Sequence, residues 1–251
     1  MASRLKLLPL SAALLLGTAW SQGQSLELLG RIPHDTSAFT QGLQFVNGRL
    51  FESTGLRGES TLRELDPASG EVLRHIGLED RYFGEGLTAV GDSLVMLTWQ
   101  ENKAFVFDRE SFEQTGSFSY EGEGWGLCNN GSSLVMSDGS DVLQFRDLDT
   151  FELTGTVAVT QPDGRPLPLL NELECVGDDV YANVFTTTYI VRITPDGSVD
   201  AVYDLRNLLT AAQWAELGSQ AVLNGIAWNP ETDTFLVTGK LWPWMFELRI
   251  D

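Results

Sequence analysis

Five segments of the chain repeat one short pattern, in which a polar or aromatic residue stands two positions before an aliphatic anchor. The anchors are 44, 40, 46 and 53 residues apart, and the segments are Gln41–Leu43, Glu85–Leu87, Trp125–Leu127, Asn171–Leu173 and Asn224–Ile226. A turn follows each anchor after four or five positions, and an apolar strand follows the turn. Short strands with this period are typical of propeller blades, so we predict an all-β, five-bladed β-propeller.

Two further features concern how such a ring is completed. Leucines recur at helical spacing in residues 205–218, which predicts a short helix inserted between blades four and five. The last unit ends at Asp251 after only three strands, whereas residues 25–32 resemble the outer strands of other units. We expect this N-terminal strand to complete the last blade and remove two free sheet edges. The alternative is a β-sandwich with accidental periodicity, against which the agreement of five registers argues.

Composition restricts the class of partner. The 251 residues include 35 Asp and Glu against 16 Lys and Arg, a formal net charge of −19. Nucleic acids and anionic membranes bind clusters of Lys and Arg, so neither is expected as a partner. The chain has two His and two Cys, which argues strongly against a zinc site built from His and Cys alone. We expect no metal and no other cofactor.

The first 21 residues have the pattern of a secretory signal peptide. Arg4 and Lys6 precede an apolar run over 7–19, which is too short to span a membrane, and small residues then offer a cleavage site. The alternative is a buried N-terminal helix. Export to a periplasm or the medium would leave one catalytic domain over residues 22–251 in an oxidising compartment. Cys128 and Cys175 could then form a disulfide or remain two isolated buried thiols, and the sequence leaves both open.

The repeat also places a candidate site at one rim of the ring. Each inner strand pairs with the next strand across a hairpin, so the position two before an anchor should pair with roughly the twelfth position after it. The first set is Gln41, Glu85, Trp125, Asn171 and Asn224, and the second is Gly55, Trp99, Gly139, Phe185 and Lys240. Together they supply a carboxylate, an ammonium, amides and aromatic rings, as a small-ligand pocket does. Taken singly, each could equally be a packing, capping or surface residue.

The sequence around these positions resembles the plant and bacterial type of glutaminyl cyclase, the glutamine cyclotransferase family. The resemblance covers nearly all of residues 22–251 and rests on motifs in all five blades: HDTSAFTQGL (34–43), FGEGL (83–87), LTW (97–99), GWGL (124–127), LNELE (170–174), LNGIA (223–227) and TGKLWP (238–243). It implies a five-bladed propeller that converts the N-terminal glutamine of a peptide or protein to pyroglutamate and releases ammonia. It also implies a fold unrelated to that of the zinc-dependent animal enzymes.

The resemblance assigns roles position by position. The family's catalytic residues fall on Glu85 and Lys240, and its substrate-binding residues on Phe39, Gln41, Phe83, Trp99, Trp125 and Asn171. Phe185 stands where the family usually has tryptophan. Phe keeps an apolar wall but lacks the indole N–H donor, so this departure bears on substrate affinity or side-chain preference. The expected partners are peptides or proteins with an N-terminal glutamine, and the expected state is a monomer.

These residue types fit the chemistry. The neutral α-amine attacks the γ-amide carbon and closes a five-membered ring, so positioning is a large part of catalysis. Glu85 is expected to carry the proton from the amine to the departing nitrogen. Lys240, with Gln41 or Asn171, is expected to hold the amide oxygen, and the aromatic side chains to exclude water.

Two other classes of function remain open at this stage. A non-catalytic propeller that binds peptides would use the same aromatic residues at the rim. A metal-dependent lactonase or hydrolase propeller would need several oxygen ligands around the axis, whereas the two rim sets contain one acid, Glu85.

Overall fold

The computed structural model describes residues 25–250 as five four-stranded antiparallel sheets. Strand β1 (Leu26–Pro33) belongs to the last blade. Blade one is β2 (Thr40–Val46), β3 (Arg49–Thr54), β4 (Thr61–Leu65) and β5 (Val72–Gly77). Blade two is β6 (Gly84–Val90), β7 (Ser93–Thr98), β8 (Lys103–Asp108) and β9 (Gln114–Ser119). Blade three is β10 (Leu127–Asn129), β11 (Leu134–Met136), β12 (Val142–Arg146) and β13 (Leu153–Ala158).

The remaining strands form blades four and five. Blade four is β14 (Leu170–Val176), β15 (Asp179–Val184), β16 (Tyr189–Ile193) and β17 (Val199–Asp204). Blade five is β18 (Leu223–Asn229), β19 (Thr234–Gly239) and β20 (Trp244–Ile250), with β1 as its outer strand. The inner strands contact one another in a closed ring, since β2 touches both β6 and β18. The predicted five-bladed propeller is therefore confirmed.

Both predicted features of ring completion are present. Strand β1 pairs antiparallel with β20, from Leu26 opposite Ile250 to Pro33 opposite Trp244. Between blades four and five lie a 3₁₀ turn over Arg206–Leu208 and the helix α1 (Ala211–Leu217). The regular helix is shorter than the predicted span because Leu209 and the N-cap residue Thr210 are extended. Within residues 25–250 no helix has the length and apolar character to cross a membrane, and the predicted signal peptide lies outside them.

The hydrophobic core lies between neighbouring blades. Five clusters of buried side chains each join two adjacent sheets; one contains Phe51 and Leu62 of blade one together with Leu87 and Phe107 of blade two. All five anchors of the repeat are no more than 1% exposed. The sequence repeat thus has a structural cause: each blade has one anchor at the same position of its inner strand, and this anchor packs against the next blade.

Glycine precedes four of the five anchors, and at three of these positions the neighbouring inner strands approach closely. A Cβ atom on Gly86 would lie 2.6 Å from the backbone nitrogen of Leu127, and one on Gly126 would lie 2.0 Å from the carbonyl oxygen of Asn171. Both distances are far below van der Waals contact, so a larger residue would push two blades apart. The small residue is required where the backbone of the next blade comes this close, whereas blade four has Glu172 at the same position.

The pairing at the start of the inner strands differs from the prediction. In four blades a β-bulge interrupts the ladder at the position two before the anchor; in blade two, Gly84 lies opposite Thr98 but Leu87 lies opposite Met96. The twelfth position after the anchor therefore pairs with the position four before it, as in the bond from Trp99 N to the Phe83 carbonyl oxygen at 2.9 Å. The predicted pairing was wrong by two residues: the bulge adds one residue to the inner strand, and the assumed centre of the hairpin accounts for the other.

Cys128 and Cys175 form a disulfide, which resolves the alternative that the sequence left open. Cys128 lies on β10 of blade three and Cys175 on β14 of blade four, with their Cα atoms 5.5 Å apart. The one-residue difference in their offsets from the anchors does not separate them, because these two inner strands are in direct contact. The bond fastens one blade to the next.

A buried polar cluster joins the last blade to the first. His34 Nε2 lies 2.9 Å from Glu52 Oε1 on β3, and His34 Nδ1 lies 3.0 Å from the Trp242 carbonyl oxygen. Burial by itself would lower the pKa of His34, but Glu52 and the Trp242 carbonyl raise it above its ordinary value. Burial would likewise raise the pKa of Glu52, yet His34 and Arg63 hold it below its usual range. The pair is therefore an imidazolium facing a carboxylate.

We expect this pair to contribute most to stability between about pH 4.5 and 6.5. The raised pKa of His34 contributes stability that is complete below its unfolded value of 6.5 and is lost as pH rises through the folded value. The lowered pKa of Glu52 contributes stability present above 4.5 and lost as pH falls through the folded value. Urea midpoints of the wild type and of a His34→Asn, Glu52→Gln variant should differ most inside this window.

The exposed His75 supplies the matched control for that measurement. The difference between the wild type and His75→Asn should stay small and change little across the same pH range. A His34, Glu52 difference that is equally independent of pH would contradict an ionised pair.

Candidate active site

Most of the side chains that the sequence assigned to one site lie together at one end of the ring. Gln41, Glu85 and Lys240 are buried and form its floor, and each is at most 5% exposed. The aromatic side chains are only partly buried and form the wall; they are Phe39, Phe83, Trp99, Trp125 and Phe185. The site is thus a polar floor inside an apolar rim.

A directed chain of hydrogen bonds orients the floor. Asn224 Nδ2 donates to the Thr40 carbonyl oxygen at 2.9 Å and to Gln41 Oε1 at 3.2 Å. A backbone carbonyl can only accept a hydrogen bond, so the atom of Asn224 that faces Thr40 must be Nδ2. Because Gln41 then accepts from Nδ2 through its Oε1, its Nε2 must point toward Glu85. Gln41 Nε2 donates to Glu85 Oε1 at 3.2 Å. Any proton on Glu85 is therefore carried by Oε2.

Glu85 is placed by the bulge of blade two. Two residues, Glu85 and Gly86, lie opposite one residue of β7, which turns the Glu85 side chain out of the regular alternation of the strand. Ser53 of blade one donates to the Glu85 carbonyl oxygen at 2.6 Å and pins this backbone. Burial raises the pKa of the Glu85 carboxyl well above its ordinary value; Lys240 opposes this effect, and Glu123 and Glu101 add to it.

Lys240 enters from blade five, next to a residue with unusual backbone conformation. Its backbone N–H bonds the Val222 carbonyl oxygen at 2.9 Å, and Leu241 then adopts φ +62°, a left-handed conformation held by its own bond to the Ala38 carbonyl oxygen. The Nζ atom lies over the rings of Phe39 and Phe185, 4.8 and 5.3 Å from their centroids.

Opposing effects act on the pKa of the Lys240 ammonium. Burial lowers the pKa of its ammonium to about 8, and attraction to Glu85 partly offsets that fall. The ring faces of Phe39 and Phe185 favour the cation as well. Lys240 lies against Phe39, and Gln41, two residues further along the chain, is bonded to Glu85, so the two groups that the resemblance named as catalytic share one cup.

The aromatic wall is a series of ring contacts. Phe39 meets Phe83 with centroids 6.2 Å apart, Phe83 meets Trp99 at 5.6 Å, and Trp125 meets Phe185 at 5.4 Å. All three pairs are edge-to-face, the arrangement favoured by aromatic quadrupoles. The position where the family usually has tryptophan thus remains part of the wall with Phe185.

Glycine at two positions makes room for these rings. A Cβ atom on Gly55 would lie 2.3 Å from Phe83, and one on Gly139 would lie 2.7 Å from Trp125. In blades one and three, the residue twelve positions after the anchor is therefore glycine, since an aromatic ring occupies the space that its side chain would need.

Two predicted site residues have different surroundings from the rest. Asn171 lies in the bulge of blade four, where its carbonyl oxygen accepts from Ser137 Oγ at 2.6 Å. Asn224 is fully buried and acts behind Gln41 rather than at the surface of the cup.

Three acids of the ring were not predicted from the sequence. Glu123, in the connection from blade two to blade three, accepts bonds from both tryptophans of the wall, at 2.7 Å from Trp99 Nε1 and 3.0 Å from Trp125 Nε1. It stands four positions before the third anchor, the column that also contains Phe39 and Phe83, so aligning that column would have found it.

Glu172 and Glu174 are the other two, and both are buried on β14. Glu172 accepts from the backbone nitrogens of Ile226 at 2.7 Å and Leu43 at 3.3 Å, which links blade four to blades five and one. Burial raises the pKa of both carboxyls well above the ordinary value. Within residues 25–250 no group of three or more His, Cys, Asp or Glu side chains is arranged to hold a metal ion.

Comparison with known proteins agrees with this geometry. The sequence model of the glutamine cyclotransferase family matches residues 3–250. The chain belongs to the glutamine cyclotransferase family. It is 37% identical over 246 residues to a glutaminyl-peptide cyclotransferase from Arabidopsis thaliana, an alignment that covers 92% of this chain and 77% of that protein.

A solved relative extends the comparison with the glutamine cyclotransferase family to three dimensions. The crystal structure of Myxococcus xanthus glutaminyl cyclase superposes with a TM-score of 0.84 at 40% identity, covering 91% of this chain and 97% of that one. The resemblance predicted from the motifs is therefore confirmed for the family and the fold. The roles of individual site residues stay predictions.

Proposed function

We propose that this protein is a glutaminyl-peptide cyclotransferase that converts an N-terminal glutamine to pyroglutamate and releases ammonia. One observation carries the proposal: Glu85 of blade two is bonded to Gln41, and Lys240 of blade five lies over Phe39 and Phe185, so a buried carboxyl and a buried amine share one aromatic cup. Membership of the glutamine cyclotransferase family supports the same reaction. A propeller that only binds peptides has no need for this buried pair.

Glu85 is the proton carrier in this reaction. The bond from the α-amine nitrogen to the γ-amide carbon forms, the bond from that carbon to the amide nitrogen breaks, and one proton passes between the two nitrogens. Glu85 Oε2 accepts that proton and delivers it, while Gln41 holds Oε1. A raised pKa suits the task, because the carboxyl must both gain and lose a proton near neutral pH.

Lys240 stabilises the negative charge that develops on the amide oxygen. Its ammonium is held between Phe39 and Phe185, away from bulk water, where electrostatic interactions are strong. Asn171, whose backbone is fixed by Ser137, is the second candidate for contact with the substrate amide. The partly exposed aromatic wall encloses the glutamine side chain and keeps out the water that would hydrolyse it to glutamate.

A turnover assay tests the function directly. Purified protein should release ammonia from a dipeptide with N-terminal glutamine and leave the pyroglutamyl product. The N-acetylated dipeptide, which lacks a free amine, should not react. We propose that the activity is independent of zinc and other metals, so it should persist after treatment with a chelator. Binding of the dipeptide without ammonia release would instead support a non-catalytic peptide-binding protein.

Replacing Phe185 with tryptophan should lower KM for glutaminyl peptides by about 2- to 10-fold and change kcat little. The larger ring extends the wall beside Trp125 and supplies an N–H donor, but it adds no group that gives or takes a proton in the reaction. Steady-state kinetics on several peptides measures the effect. Phe118→Trp, at a stacked pair with Phe151 elsewhere in the ring, is the matched control. An unchanged KM for every peptide would show that phenylalanine is a neutral replacement.

We further propose that the protein is exported to a periplasm or the medium, after loss of residues 1–21, as a single catalytic domain. The Cys128–Cys175 disulfide supports an oxidising compartment. The most exposed large apolar side chains of residues 25–250 lie on outer strands of three different blades, which favours a monomer that does not bind membranes. Fractionation, N-terminal sequencing and sedimentation would test these points.

A further inference from the structure

The ring contacts of the aromatic wall are interrupted at two places; Lys240 lies between Phe39 and Phe185 at one of them, and Glu123 bridges the other. Among the ring contacts of residues 25–250, none joins Trp99 of blade two to Trp125 of blade three. Both indole N–H groups instead donate to the same oxygen of Glu123, Oε2, at 2.7 and 3.0 Å. The other oxygen, Oε1, accepts from Gln100 Nε2 at 2.8 Å. One carboxylate therefore fixes two indoles.

The position of Glu123 in the chain suits this bridging. It lies between β9, the outer strand of blade two, and β10, the inner strand of blade three, where the chain crosses from one blade to the next. Burial would raise the pKa of Glu123, but its bonds to Gln100, Trp125 and Trp99 hold it below the usual range. The three bonds are therefore charge-assisted, which makes them stronger than bonds to a neutral amide.

With this link the wall becomes a closed circuit. The ring contacts run from Trp99 through Phe83 to Phe39, the Lys240 ammonium lies against both Phe39 and Phe185, and Phe185 meets Trp125. Lys240 closes the circuit on one side and Glu123 closes it on the other. Without Glu123, the two largest rings of the wall would lose their shared anchor.

We propose that Glu123 is a positioning residue which sets the orientation of Trp99 and Trp125 and thereby holds the substrate's glutamine side chain against Glu85. The proposal rests on the proposed cyclotransferase function. It assigns a role to a carboxylate that contributes no atom to the reaction and acts through the two indoles.

The same charge also acts on Glu85 through space. The groups that influence the Glu85 carboxyl are Lys240, which lowers its pKa, and Glu123 and Glu101, which raise it. Removing the charge of Glu123 should therefore move the Glu85-dependent limb of the kcat profile to lower pH. A residue that merely supported the fold would not produce this directed shift.

The first experiment measures the hydrogen bonds of the two indole N–H groups by NMR and needs no substrate. In a proton–nitrogen correlation spectrum, the Nε1–H resonances of Trp99 and Trp125 should both move upfield in Glu123→Gln, because the acceptor loses its charge. Trp214 and Trp242, whose indoles donate to the carbonyl oxygens of Arg206 and Ala221, should keep their positions. Unmoved resonances for Trp99 and Trp125 would overturn the bridging role.

The second experiment measures turnover. Glu123→Gln should lower kcat/KM by up to about 100-fold, the cost that about 1 Å of misplacement can impose, with the larger part of the loss in kcat. Glu121→Gln removes the same charge two positions away at an exposed site and should behave as the wild type. Glu123→Asp keeps a carboxylate within reach of the indoles and should recover part of the loss.

A variant that carries both Trp99→Phe and Trp125→Phe tests whether Glu123 acts through the two indoles or by another means. These replacements remove both N–H donors, so Glu123→Gln should have little further effect on kcat there. This comparison decides the question even if the single Glu123 variant is poorly folded. Absence of ammonia release by the wild type would overturn the cyclotransferase itself, whereas an active wild type with an equally active Glu123→Gln would overturn only the role of Glu123.

Discussion

Glu85→Gln is expected to lower kcat for glutaminyl peptides by about 10²- to 10⁴-fold, the usual contribution of a general acid–base group. The amide has the same shape and keeps an oxygen that can accept the bond from Gln41 Nε2. It has no proton to exchange near neutral pH, so the α-amine and the departing nitrogen lose their carrier. Ammonia release under saturating substrate measures the effect.

Stability provides the control for that variant. The pKa of Glu85 is raised by burial, so ionising it in the folded state is unfavourable as pH rises above its ordinary value of 4.5. Glutamine at this position carries no such cost, and the urea midpoint at neutral pH should not fall. Glu85→Asp keeps a titratable group on a shorter chain and should retain more activity than the amide. A folded Glu85→Gln enzyme with the kcat of the wild type would falsify the proton-carrier assignment.

Lys240→Met should lower kcat by about 10²- to 10³-fold, as loss of an oxyanion-stabilising donor typically does. Methionine keeps an apolar stem between Phe39 and Phe185 but removes the charge that faces the amide oxygen. The matched control is Lys103→Met, where the lysine Nζ donates an exposed bond to Ser119 Oγ. A variant in which KM rises and kcat is retained would assign Lys240 to substrate binding alone.

The pH dependence of the wild type tests Lys240 separately. Because its pKa is lowered to about 8, kcat/KM should fall as pH rises through that value and the ammonium is lost. The substrate's α-amine, with an ordinary pKa of about 7.7–8, acts in the opposite direction because it must be neutral to attack. Peptides with differing amine pKa values should move only the rising limb.

The reciprocal variant checks the coupling between the two groups. Glu85 raises the pKa of Lys240, so its removal should shift the falling limb of the residual activity of Glu85→Gln to lower pH. An unmoved falling limb would mean that another group controls it.

The propeller could be predicted from the sequence because its repeat has a direct physical cause. Leu43 and Leu87 are buried at equivalent positions of the inner strands of their blades, as are the other anchors. Each blade therefore needs an aliphatic residue at this position. Glycines such as Gly86 recur because the next blade leaves no room for a side chain. The convergence of Glu85 and Lys240 at one rim follows from the same repeat.

Other features depended on contacts that no single blade encodes. The bulge at Glu85 and Gly86 is bonded to both neighbouring blades, through Ser53 Oγ on one side and the Trp125 carbonyl oxygen on the other, and it contributes one residue to the shift in the pairing of Trp99. Glu123 lies in a connection between blades and has a role only because two indoles reach it from different sheets. Pairing of Cys128 with Cys175 likewise required the distance between neighbouring inner strands.

The amino-acid pattern alone was enough to establish the number of blades, the rim that carries the polar groups and the family, because burial of one anchor per blade is a local and repeated demand. The ionisation and orientation of those polar groups, in contrast, depend on the tertiary structure. The raised pKa of Glu85, the lowered pKa of Lys240 and the direction of the Gln41 amide arise from burial and from partners far apart in the chain, and such partners become neighbours only when the last blade meets the first.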